Sequence, residues 1–109
     1  MNLSAKEISE FEDKGYLLFP NLLNNSEVSE LQKAVPKILT RKGPEIVREK
    51  DDESIARLAF GAHVYSEAFS RLIRSPKLLN PVQQLLKDEV YLHQSRLNPK
   101  PGFGGGGAW

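Results

Sequence analysis

The segment Val90-Tyr91-Leu92-His93-Gln94-Ser95-Arg96-Leu97-Asn98 changes character halfway along its length. In an extended chain alternate residues share a face, so Val90, Leu92, Gln94, Arg96 and Asn98 line one side and Tyr91, His93, Ser95 and Leu97 the other. The first side passes from apolar to polar. A strand whose inward positions run from valine and leucine to glutamine, arginine and asparagine implies a core that opens into a polar cavity. His93 points away from the Gln94 side. Pro99, Pro101, the run Gly104 to Gly107, Ala108 and Trp109 follow, a loop ending on a large aromatic with nothing evident to pack against. This ending reads as an interruption within a domain.

The segments upstream of the strand read as a helical layer. Ser4 followed three residues later by Glu7 forms a capping box, and Ile8 with Phe11 supplies an apolar stripe up to about Lys14, where Gly15 stops the helix. Tyr16-Leu17-Leu18-Phe19 is a short apolar run closed by Pro20 and is expected to be a buried strand. Asn24, Asn25 and Ser26 offer caps for a second helix, with Val28, Leu31, Val35 and Ile38 at spacings of three and four. Pro36 is expected to kink or divide that helix, because it removes a backbone donor and crowds the preceding turn.

Arg41 to Glu53 is densely charged, with a loop at Gly43-Pro44 and a short edge strand expected at Ile46-Val47. Arg57 to His63 is apolar in its middle and punctuated by Gly61. Phe69, Leu72 and Ile73 then mark a third helix over Ser66 to Arg74, broken by Ser75-Pro76. Leu78, Leu79, Val82, Leu85 and Leu86 mark a further helix, in which Pro81 is tolerated if it lies in the first turn, and Lys87-Asp88 closes it.

Composition narrows the function classes. A chain of 109 residues holds one small domain at most, and 39% hydrophobic with 27% charged residues suits a packed core. Fifteen basic and fourteen acidic residues are interspersed and leave a net charge of +1, so no basic stripe forms for nucleic acid. No cysteine is present, which excludes disulfides and thiolate metal sites and fits a cytoplasmic setting. The N-terminus lacks the uninterrupted apolar stretch of a signal peptide or membrane span.

Two blocks carry a family resemblance. Phe11-Glu12-Asp13-Lys14-Gly15-Tyr16-Leu17, with the helix opening Ser26-Glu27-Val28, resembles the N-terminal signature of the phytanoyl-CoA dioxygenase superfamily. Tyr91 to Phe103 closely resembles the block that precedes the iron site in ectoine hydroxylases and their relatives. Arg48-Glu49 and Arg57 to His63 sit where that subgroup has similar residues. The fold implied is α+β: the N-terminal helices and first strands of a double-stranded β-helix, the jelly-roll or cupin-like dioxygenase fold, incomplete here.

The resemblance makes residues 1–109 the N-terminal part of one such domain, truncated before the iron-binding motif. In the complete family domain a His-x-Asp pair and a distant histidine hold iron(II), and the cosubstrate is 2-oxoglutarate. Trp109 would stand just before that pair, so no catalytic or metal-ligating residue is assigned to this chain, and neither cofactor is expected to bind it tightly alone. Among matched positions, Gln94 resembles the glutamine at the 2-oxoglutarate or substrate end of the cavity and Arg96 a substrate-contacting arginine; Asn98 and Lys100 follow with the same parity. Ala108 and the glycine run depart from the ectoine hydroxylase pattern, so the resemblance leaves the small-molecule substrate open.

Simpler readings stand beside these. His63 and His93 lack the carboxylate company that a metal site needs. Arg96 alone would read as a partner for a surface carboxylate. The glycine run lacks the Lys-Ser/Thr of a phosphate loop and reads as a hairpin, lid or linker. The chain is thus expected to be a fragment of an iron(II)/2-oxoglutarate dioxygenase hydroxylating a small molecule, inactive alone. The alternative is a non-catalytic module whose exposed strand edges pair with a second copy or a complementing chain.

Overall fold

A computed structural model of the chain describes residues 2–100. The glycine run, Ala108 and Trp109 lie outside the described residues. Helix α1 (Ala5–Lys14) opens on the expected capping box: the Glu7 amide donates to Ser4 Oγ at 3.1 Å and the Ser4 amide donates to the Glu7 carboxylate at 2.9 Å. Gly15 closes it in the left-handed region, φ 83°, its N–H donating to the Phe11 carbonyl at 2.8 Å. Glycine reaches this conformation without the Cβ clash that other residues meet.

Tyr16 to Phe19 is irregular rather than a strand, and Tyr16 and Leu18 are exposed. The expectation of a buried strand fails because an apolar run becomes a strand only beside a partner, and the one sheet among the described residues is built entirely from later segments. Helix α2 (Asn25–Leu39) has a second capping box, between Asn24 and Glu27, and runs undivided through Pro36. That proline stands in the last turn, on an exposed stretch where water can serve the carbonyl that loses its donor, so the helix tolerates it.

Strands β1 (Ile46–Arg48), β2 (Ala56–Phe60) and β3 (Arg96–Leu97) form an antiparallel sheet in the order β1-β2-β3. The expected edge strand at Ile46-Val47 is thus present, and the Arg57 to His63 segment supplies the central strand. The long strand expected over Val90 to Asn98 is reduced to two residues, paired as Ala59 with Leu97 and Phe60 with Arg96. Strand β2 ends at Phe60, leaving residues 90–95 no ladder to join; Gly61 adds one further bond, its N–H donating to the Ser95 carbonyl at 3.0 Å.

Three helices follow the central strand: α3 (Ala62–Tyr65), α4 (Glu67–Arg74) and α5 (Pro76–Leu86). Ser75 caps α5 through its side chain, which accepts from the Lys77 amide, with Pro76 at the first position. Pro81 is therefore the sixth residue, past the first turn, and it is buried inside the helix. Lys87 ends the helix in the left-handed region, φ 59°.

The core lies between the helices and one face of the sheet. Register places Ile46, Ala59 and Leu97 side by side. Ile38 of α2 and Ala62 of α3 join them in the buried cluster, with Ala34, Leu39, Tyr65 and Phe69 packed around it. Arg48 ties β1 to the end of α2, its guanidinium donating to the carbonyls of Leu39 and Arg41 at 2.8 and 3.0 Å. Helix α1 docks on α5 where the Leu3 amide donates to Gln84 Oε1 at 2.8 Å.

Candidate functional site

With Ile46, Ala59 and Leu97 turned to the helices, the two-residue period directs Val47, Leu58, Phe60 and Arg96 to the opposite face of the sheet. Val47 pairs with Leu58 and Phe60 with Arg96, an apolar floor bordered by one cation. The Arg96 guanidinium carbon lies 5.9 Å from the centroid of the Phe60 ring, within range of a cation–π attraction. None of the ion pairs among the described residues includes Arg96.

Exposure alternates along the chain through this face. Ser95, Leu97 and Pro99 are half-buried against the helical side, whereas Gln94, Arg96, Asn98 and Lys100 are exposed. The four residues singled out from the sequence therefore fall in one alternating series beside an apolar floor. One amide, one carboxamide-bearing asparagine and two cations on such a face offer a donor set for a carboxylate-bearing ligand. Arg96 in particular can present two parallel N–H groups to one carboxylate.

Of the two histidines, His63 is engaged: its Nδ1 and Ser95 Oγ are 2.7 Å apart, a partly buried hydrogen bond between α3 and the start of β3. Sequence reasoning did not find this contact, since nothing in the residue pattern links positions 63 and 95. Phe60 was likewise not singled out; its place opposite Arg96 follows from register alone.

Among the described residues no group of three or more histidine, aspartate and glutamate side chains converges. An iron centre therefore does not fit the described part of the chain, and no step is derived through one. Nor is any described helix long and apolar enough to cross a membrane.

Comparison with known proteins agrees with this architecture. The family model for phytanoyl-CoA dioxygenase (PhyH) matches residues 11–109. The chain is 40% identical over 108 residues to the ectoine dioxygenase of Bordetella bronchiseptica, covering 94% of this chain and 34% of that protein. It is 37% identical over 107 residues to the ectoine dioxygenase of Sphingopyxis alaskensis, covering 94% and 35%. The crystal structure of EctD from S. alaskensis with bound Fe superposes with a TM-score of 0.86 at 36% identity, covering 94% of this chain and 38% of that one. The same protein with 2-oxoglutarate and 5-hydroxyectoine gives a TM-score of 0.85. The chain spans about a third of the length of the curated relatives it matches. An α+β arrangement of helices packed on one face of a short antiparallel sheet, shared at this level with EctD, is the helical layer and first strands of an incomplete jelly roll. The chain belongs to the phytanoyl-CoA dioxygenase family.

Proposed function

We propose that the chain is the N-terminal part of an iron(II)- and 2-oxoglutarate-dependent dioxygenase that hydroxylates a small polar molecule of the ectoine kind, with the iron ligands supplied by sequence beyond residue 109. The reaction class consumes dioxygen: one oxygen atom enters succinate as 2-oxoglutarate loses carbon dioxide, and the other is inserted into a C–H bond of the substrate. This segment contributes the outer helices and one wall of the cavity. Gln94 and Arg96 hold and orient the carboxylate groups of cosubstrate or substrate, with Asn98 and Lys100 continuing the same polar series. Val47, Leu58 and Phe60 form the apolar floor that keeps water from the bound ligand.

The observation that carries the reading is the alternation itself: Gln94, Arg96, Asn98 and Lys100 lie away from the helix-packed side, where Leu97 joins the core cluster. A face opposite the helical layer is the interior face once a jelly roll closes. In such a low-dielectric interior, a charge-assisted bond from Arg96 would be stronger than at a surface.

The test is iron(II)-dependent succinate release from 2-oxoglutarate. It compares the 109-residue chain with a version continued by the remaining two thirds of the S. alaskensis ectoine dioxygenase. No release from the short chain and release from the extended one is the expected result. Turnover by the short chain would overturn the assignment of iron ligands to later sequence.

A second reading rests on the open side of the molecule. Strand β3 has one neighbour among the described residues, and Leu86 at the end of α5 and Tyr91 and Leu92 on the approach to β3 are exposed. An unpaired strand edge together with exposed apolar side chains is a template for strand addition, so as a separate polypeptide the chain would pair with a second copy or with a complementing chain.

A further inference from the structure

We propose that His63 is a positioning residue for the binding face and acts through Ser95; the proposal rests on the reading of Gln94 and Arg96 as ligand-holding groups. Ser95 stands between those two residues. Its side chain is half-buried on the helical side, whereas theirs are exposed on the other. Strand β3 is only two residues long and residues 90–95 have no ladder, so the direction of the chain at Gln94 is set by what grips Ser95.

Two bonds grip it, both from one turn. The Gly61 N–H donates to the Ser95 carbonyl at 3.0 Å, and His63 Nδ1 bonds Ser95 Oγ at 2.7 Å. The turn is itself braced: Gly61 sits at φ 65° and its carbonyl accepts from the Val64 amide at 2.9 Å. A backbone bond alone leaves the strand free to roll about its axis. A second bond through the side chain removes that freedom, and by the two-residue period it fixes where Gln94 points beside the ladder-held Arg96.

A Ser–His contact also raises the reading of a nucleophile with its base. That reading lacks a third group orienting the ring, since among the described residues no carboxylate contact to His63 is present, and the pair faces the packed side rather than the open one.

The experiment uses the variants H63A, S95A, H63A/S95A and H63Q with two readouts. The first is amide exchange at Gly61 in the 109-residue chain, followed by NMR. Each single variant is expected to speed exchange about five- to tenfold, the size of one modest hydrogen bond. The double variant should be no faster than either single one, because both act through one contact. The second is steady-state kinetics in the extended enzyme described above. H63A and S95A should raise the KM for 2-oxoglutarate or for ectoine about tenfold with kcat within about twofold, and H63Q, which restores a side-chain hydrogen-bond partner, should recover most of the loss. S95A deletes a single oxygen and keeps the test decisive where H63A does not fold.

An unchanged KM in H63A and S95A, with a raised KM in R96A or Q94A, overturns the positioning role and leaves the binding reading intact. Additive exchange effects in the double variant also overturn it. Unchanged KM in both Q94A and R96A overturns the binding reading and the positioning role with it, while the exchange cycle still shows whether the His63–Ser95 contact holds the strand.

Discussion

Ala59 has no exposure to solvent and lies between Ile46 on one side and Leu97 on the other, directly under Ile38 and Ala62. A small side chain at the centre of a three-stranded sheet lets the helices approach closely. Ala59→Leu is therefore expected to destabilise the chain by about 1–3 kcal/mol through overpacking, read as a lowered urea midpoint with an unchanged slope. Nothing in the sequence marks Ala59, which sits in a stretch with no periodic signature. Ser4, Glu7 and Gly15 were legible because capping and left-handed geometry select residue types directly. That Gln94 and Arg96 share one side was legible for a similar reason, since parity along an extended chain needs no tertiary knowledge. The His63–Ser95 bond spans 32 positions and was not.

Helices α2 and α5 show how separate elements are joined. Lys77 Nζ donates to Glu27 Oε1 at 2.7 Å, and the Asn24 amide donates to the same oxygen at 2.8 Å. The Lys77 bond first, and the Asn24 amide second, hold the Glu27 carboxyl below the usual carboxylate range. A group whose acidity is greater in the fold than in the unfolded chain stabilises fully above its unfolded value. That contribution is thus present above about pH 4.3 and is lost as the pH falls through the lowered folded value. Glu27→Gln is expected to melt below the parent at pH 6, with the gap closing toward pH 3; a gap constant across this range would exclude the linkage. Asn24 was readable as one of three candidate caps, but its box with Glu27 and the pairing with Lys77 were not singled out, and only helix packing brings positions 27 and 77 together. Pro36 illustrates the converse: its residue type argued for a break, yet in an exposed last turn solvent absorbs the lost bond.

The folded chain as a body has a thin core and an open side. Among the described residues the buried apolar side chains are Leu3, Ile38, Ile46, Ala59, Ala62 and Pro81. The radius of gyration is 16.4 Å, against about 13 Å for a closed domain of this length. Tyr91, Leu86 and Leu92 remain exposed along α5 and the approach to β3. The 109-residue chain is accordingly expected to associate with rising concentration in sedimentation velocity, and Tyr91→Lys with Leu92→Lys should shift it toward monomer; a monomer at every concentration would remove the open face as a pairing surface. Sequence alone determined the helix caps, the helical periodicities, the edge strand at Ile46-Val47 and the polar turn of the Val90 to Asn98 face, because each depends on contacts within a few residues. Tertiary structure decided that Tyr16 to Phe19 stays irregular, that Ala56 to Phe60 is the central strand, and that the strand after Tyr91 pairs over only two residues. A strand exists only where a neighbour accepts its hydrogen bonds, and neighbours are set by how the chain closes on itself.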